Sequence, residues 1–383
     1  MISDRVKKVP PSGIREFFDL VLGMPDVISL GVGEPDFITP WRIREKAITS
    51  LEEGMTSYTS NQGLLILREA IADRYKEKYE VAYSAEKEIL ITVGVSEALD
   101  LVLRTILDPN DYVIVVTPSY VAYPALVELN YGRVLNVETK KENNFKIDLK
   151  DLKKALEKNP KAIILNYPCN PTGATYSKEE LQAIWKLIAK TNAIVISDEV
   201  YDELVYEGRH YPFAGISKEA KKRTITLNGF SKGQAMTGFR CGYACGPEQI
   251  ISGMTKIHAY SMLCAPITAQ IAACEAFNVE KEVREMVKHY KSRRDYIVRE
   301  FNRLGMMTLC PAGAFYCFPD IRKFKMNALD FAKKLLFQEK VAVIPGTAFG
   351  RGLDNYLRVS YANTLEDLKE AIVRIERFLS GIK

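Results

Sequence analysis

Histidine is scarce in this sequence, which has three histidines and seven cysteines without paired spacing. Zinc sites are built from clustered His and Cys ligands, so a zinc centre is not expected. An odd number of scattered cysteines is typical of free thiols in a reducing compartment.

Long hydrophobic runs and strong charge are also missing. No stretch approaches the length needed to cross a bilayer, and the opening MISDRVKKVPPSG has no apolar signal segment. The net charge of +5 is small for 383 residues, and the densest basic runs, 221–223 and 291–294, lie beside or within helical patterns. Solvated helix faces explain these runs better than a nucleic-acid groove. We therefore expect a cytoplasmic protein that binds neither membranes nor nucleic acid.

The middle of the chain alternates between two patterns. Apolar runs typical of strands lie at 89–93, 112–117, 133–137, 162–166, 193–197, 224–227 and 241–245. Helical patterns separate most of them, at 97–106, 123–129, 149–157 and 178–190. This alternation predicts a parallel sheet with helices on both faces. The last connection, 228–240, is too short for a crossover helix, so we expect the seventh strand to be antiparallel.

The length predicts two domains, because 383 residues exceed one typical core. Residues 1–40 form an arm with a short helix over 14–22 and a loop rich in turn residues. We assign 41–280 to the large domain and 281–383, together with the arm, to a smaller α+β domain. The patterns in this last part predict helices at 281–304, 328–339 and 365–379, and strands at 307–310, 315–318, 341–344 and 356–360.

Polar residues follow several of the predicted strands. Lys232 comes after the sixth run, Asp198 and Tyr201 after the fifth, and Asn170 lies in the turn NYPCNPTG after the fourth. The first run leads into a helix at Gly94-Val95-Ser96-Glu97, whose free N–H groups can bind an anion. Ligands bind at the carboxyl ends of strands in such sheets, so these groups are predicted to share one site.

Lys232 is the most informative of these residues. A lysine on a solvated turn is the simpler explanation for Ser231-Lys232 alone. Desolvation beside a buried strand, however, lowers the pKa of an ammonium group and yields an amine that can form a Schiff base with a carbonyl. Arg358 is similarly out of place in the strand-like LRVSYA: it either faces solvent on an edge strand or reaches an anion between the domains.

Segments along nearly the whole chain resemble those of class I aminotransferases, the fold-type-I enzymes that depend on pyridoxal 5′-phosphate. The similarity is greatest to the aspartate and aromatic aminotransferases of bacteria and archaea. The segments are SLGVGEPDF, NYPCNPTG, SDEVYDELVY, NGFSKGQAMTGFRCGY, GAFYCFP, IPGTAFG and LRVSYA. The resemblance implies a seven-stranded, mostly parallel sheet with a smaller α+β domain, ping-pong transfer of an amino group to a 2-oxo acid, and a homodimer with shared active sites.

The resemblance also implies roles around the cofactor ring. Lys232 holds the cofactor as a Schiff base and acts as general acid and base. Asp198 keeps the pyridine nitrogen protonated. Tyr201 and Asn170 donate hydrogen bonds to the phenolic oxygen, and Tyr120 stacks on the ring.

Further residues are implied to bind the anionic groups. The cofactor phosphate is bound by the helix N-terminus at Val95, Ser96 and Glu97, by Ser231 and Arg240, and by Tyr58 of a second subunit. Arg358 binds the substrate carboxylate through paired hydrogen bonds that lysine cannot reproduce, and Gly33, Tyr120 and Asn170 lie against the substrate.

Departures from the family pattern occur at Phe239, where tryptophan is common, at Gly233-Gln234 and at Gly229. They affect the packing under the phosphate and not the reaction class. No second arginine lies in a family motif, and the arm offers the apolar Ile14, Phe17 and Phe18. We therefore expect aromatic or other bulky amino donors and glutamate to react, with aspartate possible.

Rival functions remain on the same scaffold. A carbon–sulfur β-lyase or an aminocyclopropane-carboxylate synthase shares the cofactor residues and differs only in substrate contacts. A regulator fused to a helix-turn-helix module is disfavoured, because the motifs start near the first residue. A nicotinamide-dependent oxidoreductase is disfavoured by the missing G-x-G-x-x-G after the first strand.

Overall fold

The computed structural model of the protein describes residues 1–11, 13–14, 21 and 23–382. Twelve strands are assigned within these residues. In chain order they are β1 (Ile28–Ser29), β2 (Ile89–Thr92), β3 (Tyr112–Thr117), β4 (Arg133–Glu138), β5 (Ala162–Asn166), β6 (Ile194–Asp198), β7 (Thr224–Gly229), β8 (Gly242–Cys245), β9 (Tyr316–Cys317), β10 (Val341–Ala342), β11 (Ile344–Pro345) and β12 (Leu357–Ser360).

Helices cover both faces of the larger sheet and make up much of the C-terminal part. The α-helices assigned within the same residues are α1 (Asp4–Lys8), α2 (Trp41–Glu52), α3 (Leu65–Tyr79), α4 (Gly94–Ile106), α5 (Ala122–Leu129), α6 (Leu149–Leu156), α7 (Lys178–Ile188), α8 (Lys218–Lys221), α9 (Glu248–Ser261), α10 (Ile267–Ala273), α11 (Glu280–Arg303), α12 (Ala328–Glu339) and α13 (Leu365–Ser380). None of them is both long and apolar enough to cross a lipid bilayer.

The larger sheet has seven strands in the order β2-β8-β7-β6-β5-β3-β4. Its strands are parallel except β8, which runs antiparallel to both β2 and β7. The predicted seven-stranded, mostly parallel sheet and its antiparallel seventh strand are therefore confirmed. Strands β2, β5 and β7 are buried almost throughout, which accounts for their continuous apolar runs.

Helix boundaries follow local signals in the sequence. At the start of α7, Ser177 Oγ accepts a hydrogen bond from the Glu180 N–H, and the Glu180 carboxylate accepts one from the Ser177 N–H. This capping box explains why the helix begins at Lys178. Thr364 caps α13 in a related way, through a bond from the Asp367 N–H to its side chain.

The C-terminal part contains two small sheets. Strand β1 pairs with β10 in parallel, and β12 lies between β11 and β9 in an antiparallel sheet. The predicted strand at 341–344 is thus divided between both sheets. The predicted strand at 307–310 forms only a bridge at Met307, because the Asn302 side chain binds both the N–H and the carbonyl of Thr308. The predicted helix at 14–22 lies mostly outside the described residues.

One buried apolar cluster connects the two parts of the chain. It includes Ile91 and Tyr243 from the larger sheet and Leu335 and Ile375 from the C-terminal helices. The segments that follow β5, β6 and β7 reach the small antiparallel sheet or the residues next to it, since Asn170 contacts Arg358, Tyr201 contacts Tyr316 and Lys232 lies near Phe315. The polar residues after these strands lie at this junction.

Candidate active site

Lys232 lies in the turn that follows β7. Its Nζ donates a hydrogen bond to the Gly33 carbonyl at 2.7 Å and lies 5.9 Å from the centre of the Phe315 ring. Burial lowers the pKa of Lys232 to about 8. With this pKa roughly a tenth of the side chains carry a free amine at pH 7, far more than for a solvated lysine. The amine can therefore act as a nucleophile near neutral pH.

Asp198 ends β6 and is 5% exposed. Its Oδ2 accepts a hydrogen bond from the Tyr123 hydroxyl at 2.7 Å, and its Oδ1 accepts one from the Val200 N–H at 3.3 Å. Burial raises the pKa of Asp198 to about 6, although both hydrogen bonds oppose the shift. A carboxylate held by neutral donors in a buried site is well placed to pair with a cationic ligand atom.

Arg358 lies on β12, the central strand of its sheet, and is 2% exposed. Its Nη1 donates to Asn170 Oδ1 at 3.2 Å and its Nη2 to the Gly31 carbonyl. The guanidinium lies over the rings of Tyr316 and Phe349, at 4.7 and 5.0 Å. Its Nε is buried and has no hydrogen-bond partner among the described residues. The central position rules out the edge-strand alternative, and a buried guanidinium with an unused donor can bind an anion.

The turn after β5 is tied to the end of β6 by an asparagine. Asn166 Oδ1 accepts a bond from the Asn170 N–H at 2.9 Å, while Asn166 Nδ2 donates to the Asp198 carbonyl at 3.1 Å. Asn170 then contacts Arg358 from the other part of the chain. The site therefore lies between the larger sheet and the small antiparallel sheet.

Two tyrosines meet next to Gly33. The hydroxyls of Tyr201 and Tyr316 lie 3.0 Å apart, and a Cβ at Gly33 would approach the Tyr316 hydroxyl to 2.4 Å. Burial raises the pKa of Tyr201 well above its usual value, so its phenol keeps its proton near neutral pH.

The N-terminus of α4 lies next to Arg240. The N-cap residue, Val93, makes no side-chain hydrogen bond to the first turn of α4. Gly94 has a φ of +75°, and a Cβ there would lie 2.5 Å from Arg240 Nη2, while a Cβ at Gly242 would lie 2.7 Å from the Val95 nitrogen. Glycine at position 242 lets the N-terminus of α4 pack directly on β8, and glycine at position 94 lets it lie next to the Arg240 guanidinium. Backbone N–H groups and an arginine thus face the same space.

The other predicted residues of this anion-binding site differ in their side-chain contacts. Ser231 is buried in the turn beside Lys232, and Ser96 is exposed. The Glu97 carboxylate accepts a bond from the Val93 N–H at 2.5 Å and contacts His258 Nδ1 at 2.7 Å. Only the backbone of Glu97 therefore belongs to the helix end that faces Arg240.

Two of the departures from the family pattern have a structural explanation. Gly229 on β7 pairs with Gly242 on β8, and a Cβ at Gly229 would lie 2.8 Å from the Gly242 Cα. Glycine is thus required here by the close approach of the two strands. A Cβ at Gly233 would contact the Glu203 side chain at 2.9 Å, so the half-buried Glu203 would have to move to admit a larger residue.

Tyr120 lies among the charged groups, whereas Tyr58 does not. The Tyr120 ring packs edge-on against Tyr123 at 5.7 Å. Its pKa is raised, chiefly by burial and then by Asp198, while Arg358 and Arg240 oppose the shift. Tyr58 is 82% exposed in the loop between α2 and α3. The structure thus brings together the predicted residues other than Tyr58.

Tyr123 and Tyr316 contact the site but were not predicted as site residues. Tyr316 belongs to GAFYCFP and Tyr123 to the segment that also contains Tyr120. Both segments were visible in the sequence. The partner of each hydroxyl, Asp198 for Tyr123 and Tyr201 for Tyr316, depends on tertiary contacts that the local pattern does not contain.

The charges of the site indicate the kind of ligand that it accommodates. Lys232, Arg240 and Arg358 lie close to the carboxylates of Asp198 and Glu34. Burial has the largest effect on the pKa of Lys232, and the four other charges, Glu34 first, also influence it. The site therefore has three cations against two carboxylates, and one cation, Lys232, can lose its proton to give an amine that reacts with carbonyls. It suits a ligand with an aldehyde or ketone and at least two anionic groups.

Comparisons with known proteins identify the family. The family model "Aminotransferase class I and II" matches residues 25–375. The chain is 42% identical to an aspartate aminotransferase of Pyrococcus abyssi, over 99% of this chain and 98% of that one. It is 38% identical to aromatic-amino-acid aminotransferase 2 of Thermococcus litoralis, over 100% and 99%.

A solved structure shows the same fold. The structure of the aspartate aminotransferase of Thermus thermophilus with maleate superposes with a TM-score of 0.94 at 36% identity, and the match covers 98% of this chain and 99% of the other. Class I aminotransferases transfer amino groups between amino acids and 2-oxo acids with the help of pyridoxal 5′-phosphate. With the family model, the relatives and the fold in agreement, the chain belongs to the class I and II aminotransferases.

Proposed function

We propose that the residues at the junction hold pyridoxal 5′-phosphate and an amino-acid substrate side by side. Two observations support the fit. The Asp198 carboxylate has a raised pKa, which a cationic pyridine nitrogen would lower again. The free N–H groups of α4 and the Arg240 guanidinium offer donors to a phosphate.

In this proposal Lys232 holds the cofactor through its amine and later moves a proton. When bound, the cofactor withdraws electrons from the substrate Cα. Once the amino group of the substrate has displaced Lys232 from the cofactor, the Lys232 Nζ would take the Cα proton and deliver it to C4′ of the cofactor, which a pKa of about 8 allows at neutral pH. Asp198 keeps a proton on the ring nitrogen. Tyr123, whose hydroxyl donates to Asp198 Oδ2, holds this carboxylate in place.

Tyr201 and Asn170 act at the phenolic oxygen of the ring. Because Asn170 Oδ1 accepts a bond from Arg358, its Nδ2 remains to donate. Tyr201 keeps its proton, since burial raises its pKa, and Tyr316 fixes its hydroxyl at 3.0 Å. Tyr120 is assigned to stacking on the ring.

The anionic groups are assigned to two ends of the site. The N-terminus of α4 at Val95, Ser96 and Glu97, together with Ser231 and Arg240, binds the phosphate. At the other end, Arg358 offers its free Nε and an adjacent Nη to the substrate carboxylate. Gly33, whose carbonyl accepts a bond from Lys232, is assigned to the same end. The unused Nε of Arg358 is the observation that best supports a carboxylate substrate, because a buried guanidinium donor without a partner is costly.

For the amino donor we propose aromatic or other bulky side chains, together with glutamate. Among the described residues, the three cations of the site already have anionic partners assigned, so none is left for a side-chain carboxylate. Phe349 and the partly buried Ile14 provide apolar contacts in the same region. Phe17 and Phe18, which were also predicted to contribute, lie outside the described residues. The relatives include both an aspartate and an aromatic-amino-acid aminotransferase.

The test compares kcat/KM for phenylalanine or tyrosine with that for aspartate and alanine, with 2-oxoglutarate as acceptor. We expect the aromatic donors to match or exceed the others. A preference of about a hundredfold or more for aspartate or alanine, which corresponds to roughly 2.7 kcal/mol, would contradict the apolar assignment. Turnover that does not depend on any 2-oxo acid would instead favour the lyase alternative, which the comparisons do not favour.

We also propose a homodimer in which Tyr58 contributes to the partner's site. Support comes from exposed apolar side chains on α2, on the loop that follows it, at the start of α3 and around the end of α9: Trp41, Ile48, Leu51, Met55, Leu65, Ile66, Tyr260, Met262 and Leu263. Asn61 Nδ2 donates to the Leu263 carbonyl at 2.7 Å and so joins two of these segments. An apolar surface of this extent is typical of a protein interface.

The proposed domain division is 41–280 for the large domain and 281–383, with the arm 1–40, for the small one. Pairing of Ile28 with Val341 supports the assignment of the arm. All seven cysteines are free thiols, which supports a reducing compartment and hence the cytoplasm as the proposed location.

A further inference from the structure

A buried histidine lies behind the proposed phosphate site. His258, in the last turn of α9, is 0% exposed. Its Nδ1 lies 2.7 Å from Glu97 Oε1 on α4, and the other oxygen of Glu97 accepts the Val93 N–H at 2.5 Å. Its Nε2 is buried and has no hydrogen-bond partner among the described residues. Burial of a ring nitrogen without a hydrogen-bond partner destabilises the folded protein. The contact with Glu97 is therefore the feature of His258 that needs a functional explanation.

Glu97 creates a conflict with phosphate binding. It lies in the first turn of α4, where a carboxylate is attracted by the same unpaired N–H groups that bind a phosphate. A negative charge close to a bound phosphate would also repel it. In the structure both oxygens of Glu97 are engaged, one by Val93 at the start of the helix and the other by His258. The carboxylate is thereby kept from the N–H groups that face Arg240.

We propose that His258 is a positioning residue for cofactor phosphate: by holding Glu97 through Nδ1, it keeps the Glu97 carboxylate away from the N–H groups of α4 and leaves this helix end open to the phosphate. This inference rests on the proposed phosphate site at α4 and Arg240. It assigns to His258 an effect on the phosphate group alone and none on the ring or the substrate. The phosphate-free analogue pyridoxal, which has the same ring and aldehyde, is therefore the matched probe.

The experiment measures the equilibrium affinity of the apoenzyme for pyridoxal 5′-phosphate and for pyridoxal, together with its melting temperature. His258→Phe keeps a ring of similar size but removes both nitrogens. We expect the affinity for pyridoxal 5′-phosphate to fall about tenfold or more, with pyridoxal changed less than about twofold, in line with the loss of one charge-assisted hydrogen bond. In His258→Asn the amide nitrogen can take the place of Nδ1, so this variant should recover most of the selectivity. In His258→Gln the nitrogen corresponds to Nε2, and the loss should remain.

Removal of the Glu97 charge provides the decisive comparison. If His258 acts through Glu97, the double variant Glu97→Gln/His258→Phe should regain most of the selectivity lost in His258→Phe, because a neutral amide no longer repels the phosphate. A merely structural histidine would lower the melting temperature and the affinities for both probes, and Glu97→Gln would not restore them. If His258→Phe does not fold, His258→Gln and its double variant with Glu97→Gln test the same point.

Two controls separate this inference from the proposed function. His210 forms a second buried pair, with Glu199 at 2.8 Å, away from the N-terminus of α4, so His210→Phe should lower stability without changing the ratio of the two affinities. Arg240→Gln should reduce that ratio. An unchanged ratio in Arg240→Gln would refute the phosphate site itself. A reduced ratio in Arg240→Gln with no change in His258→Phe and His258→Gln would overturn only the role of His258.

Discussion

Replacement of Arg358 by lysine would test how the substrate carboxylate is bound. Arg358 donates to Asn170 Oδ1 and to the Gly31 carbonyl, and its buried Nε remains free. A carboxylate that binds Nε and a neighbouring Nη receives two parallel hydrogen bonds, whereas the lysine ammonium keeps the charge but loses the fork. Loss of one charge-assisted hydrogen bond costs about 1.5–3 kcal/mol. We therefore expect kcat/KM for amino acids to fall roughly 10- to 150-fold.

The assay compares phenylalanine with phenethylamine, which has the same side chain and amine but lacks the carboxylate. The rate of the first half-reaction is measured with each in the wild type and in Arg358→Lys. The variant should lose rate with phenylalanine and change little with phenethylamine, at an unchanged cofactor content. Arg294→Lys is the matched control, because Arg294 is also 2% exposed and binds the Pro311 carbonyl outside the site.

Equal losses for phenylalanine and phenethylamine would show that Arg358 supports the structure of the site and does not bind the carboxylate. Unchanged kinetics with both would also refute the assignment. A comparable loss of phenylalanine turnover in Arg294→Lys would mean that any buried arginine gives this effect.

Asp198→Ala should keep the cofactor, as measured by absorbance, but its kcat should fall about a hundredfold or more. The reason is that removal of one partner from a buried ion pair typically costs about 3–5 kcal/mol. A near-normal kcat would show that Asp198 is structural. Burial lowers the pKa of Lys232 to about 8, so the fraction of free amine increases as the pH rises through 8. The rate of cofactor uptake by the apoenzyme, measured by stopped flow, should therefore increase about tenfold per pH unit below about 8 and level off above it. A rate that does not change with pH would argue against attack by this amine. Mixed dimers of Tyr58→Phe and Lys232→Ala subunits should be more active than either parent dimer. One of their two sites combines the unchanged Lys232 of one subunit with the unchanged Tyr58 of the other and is therefore intact. If subunit exchange is verified and the activity is no higher, the sites are not shared.

The larger sheet could be predicted because its strands follow local rules. Runs such as 112–117 and 162–166 are continuous and apolar, since helices cover both faces, and their bounds agree with β3 and β5. The antiparallel seventh strand followed from the length of its connection. The strand predicted at 307–310 was wrong because the Asn302 side chain, and not a neighbouring strand, binds the Thr308 backbone. Such a side-chain contact has no periodic signal.

The candidate site was partly accessible to sequence reasoning. Lys232, Asp198 and Asn170 follow strands of one sheet, so topology alone predicted that they share an edge. Tyr316 and His258 lie on other elements, and only the tertiary structure shows that one meets Tyr201 and the other Glu97. Both residues are buried, so the sequence around each of them is equally compatible with an ordinary core residue. This is why the sequence alone does not identify them as site residues.

The attachment of the cofactor to Lys232 tests the central claim most directly. The holoenzyme would be reduced with sodium borohydride, digested, and its peptides mapped by mass spectrometry. We expect the cofactor on the peptide that contains Lys232, and no label in Lys232→Ala. A stoichiometric label on any other lysine, with Lys232 unmodified, would contradict the account.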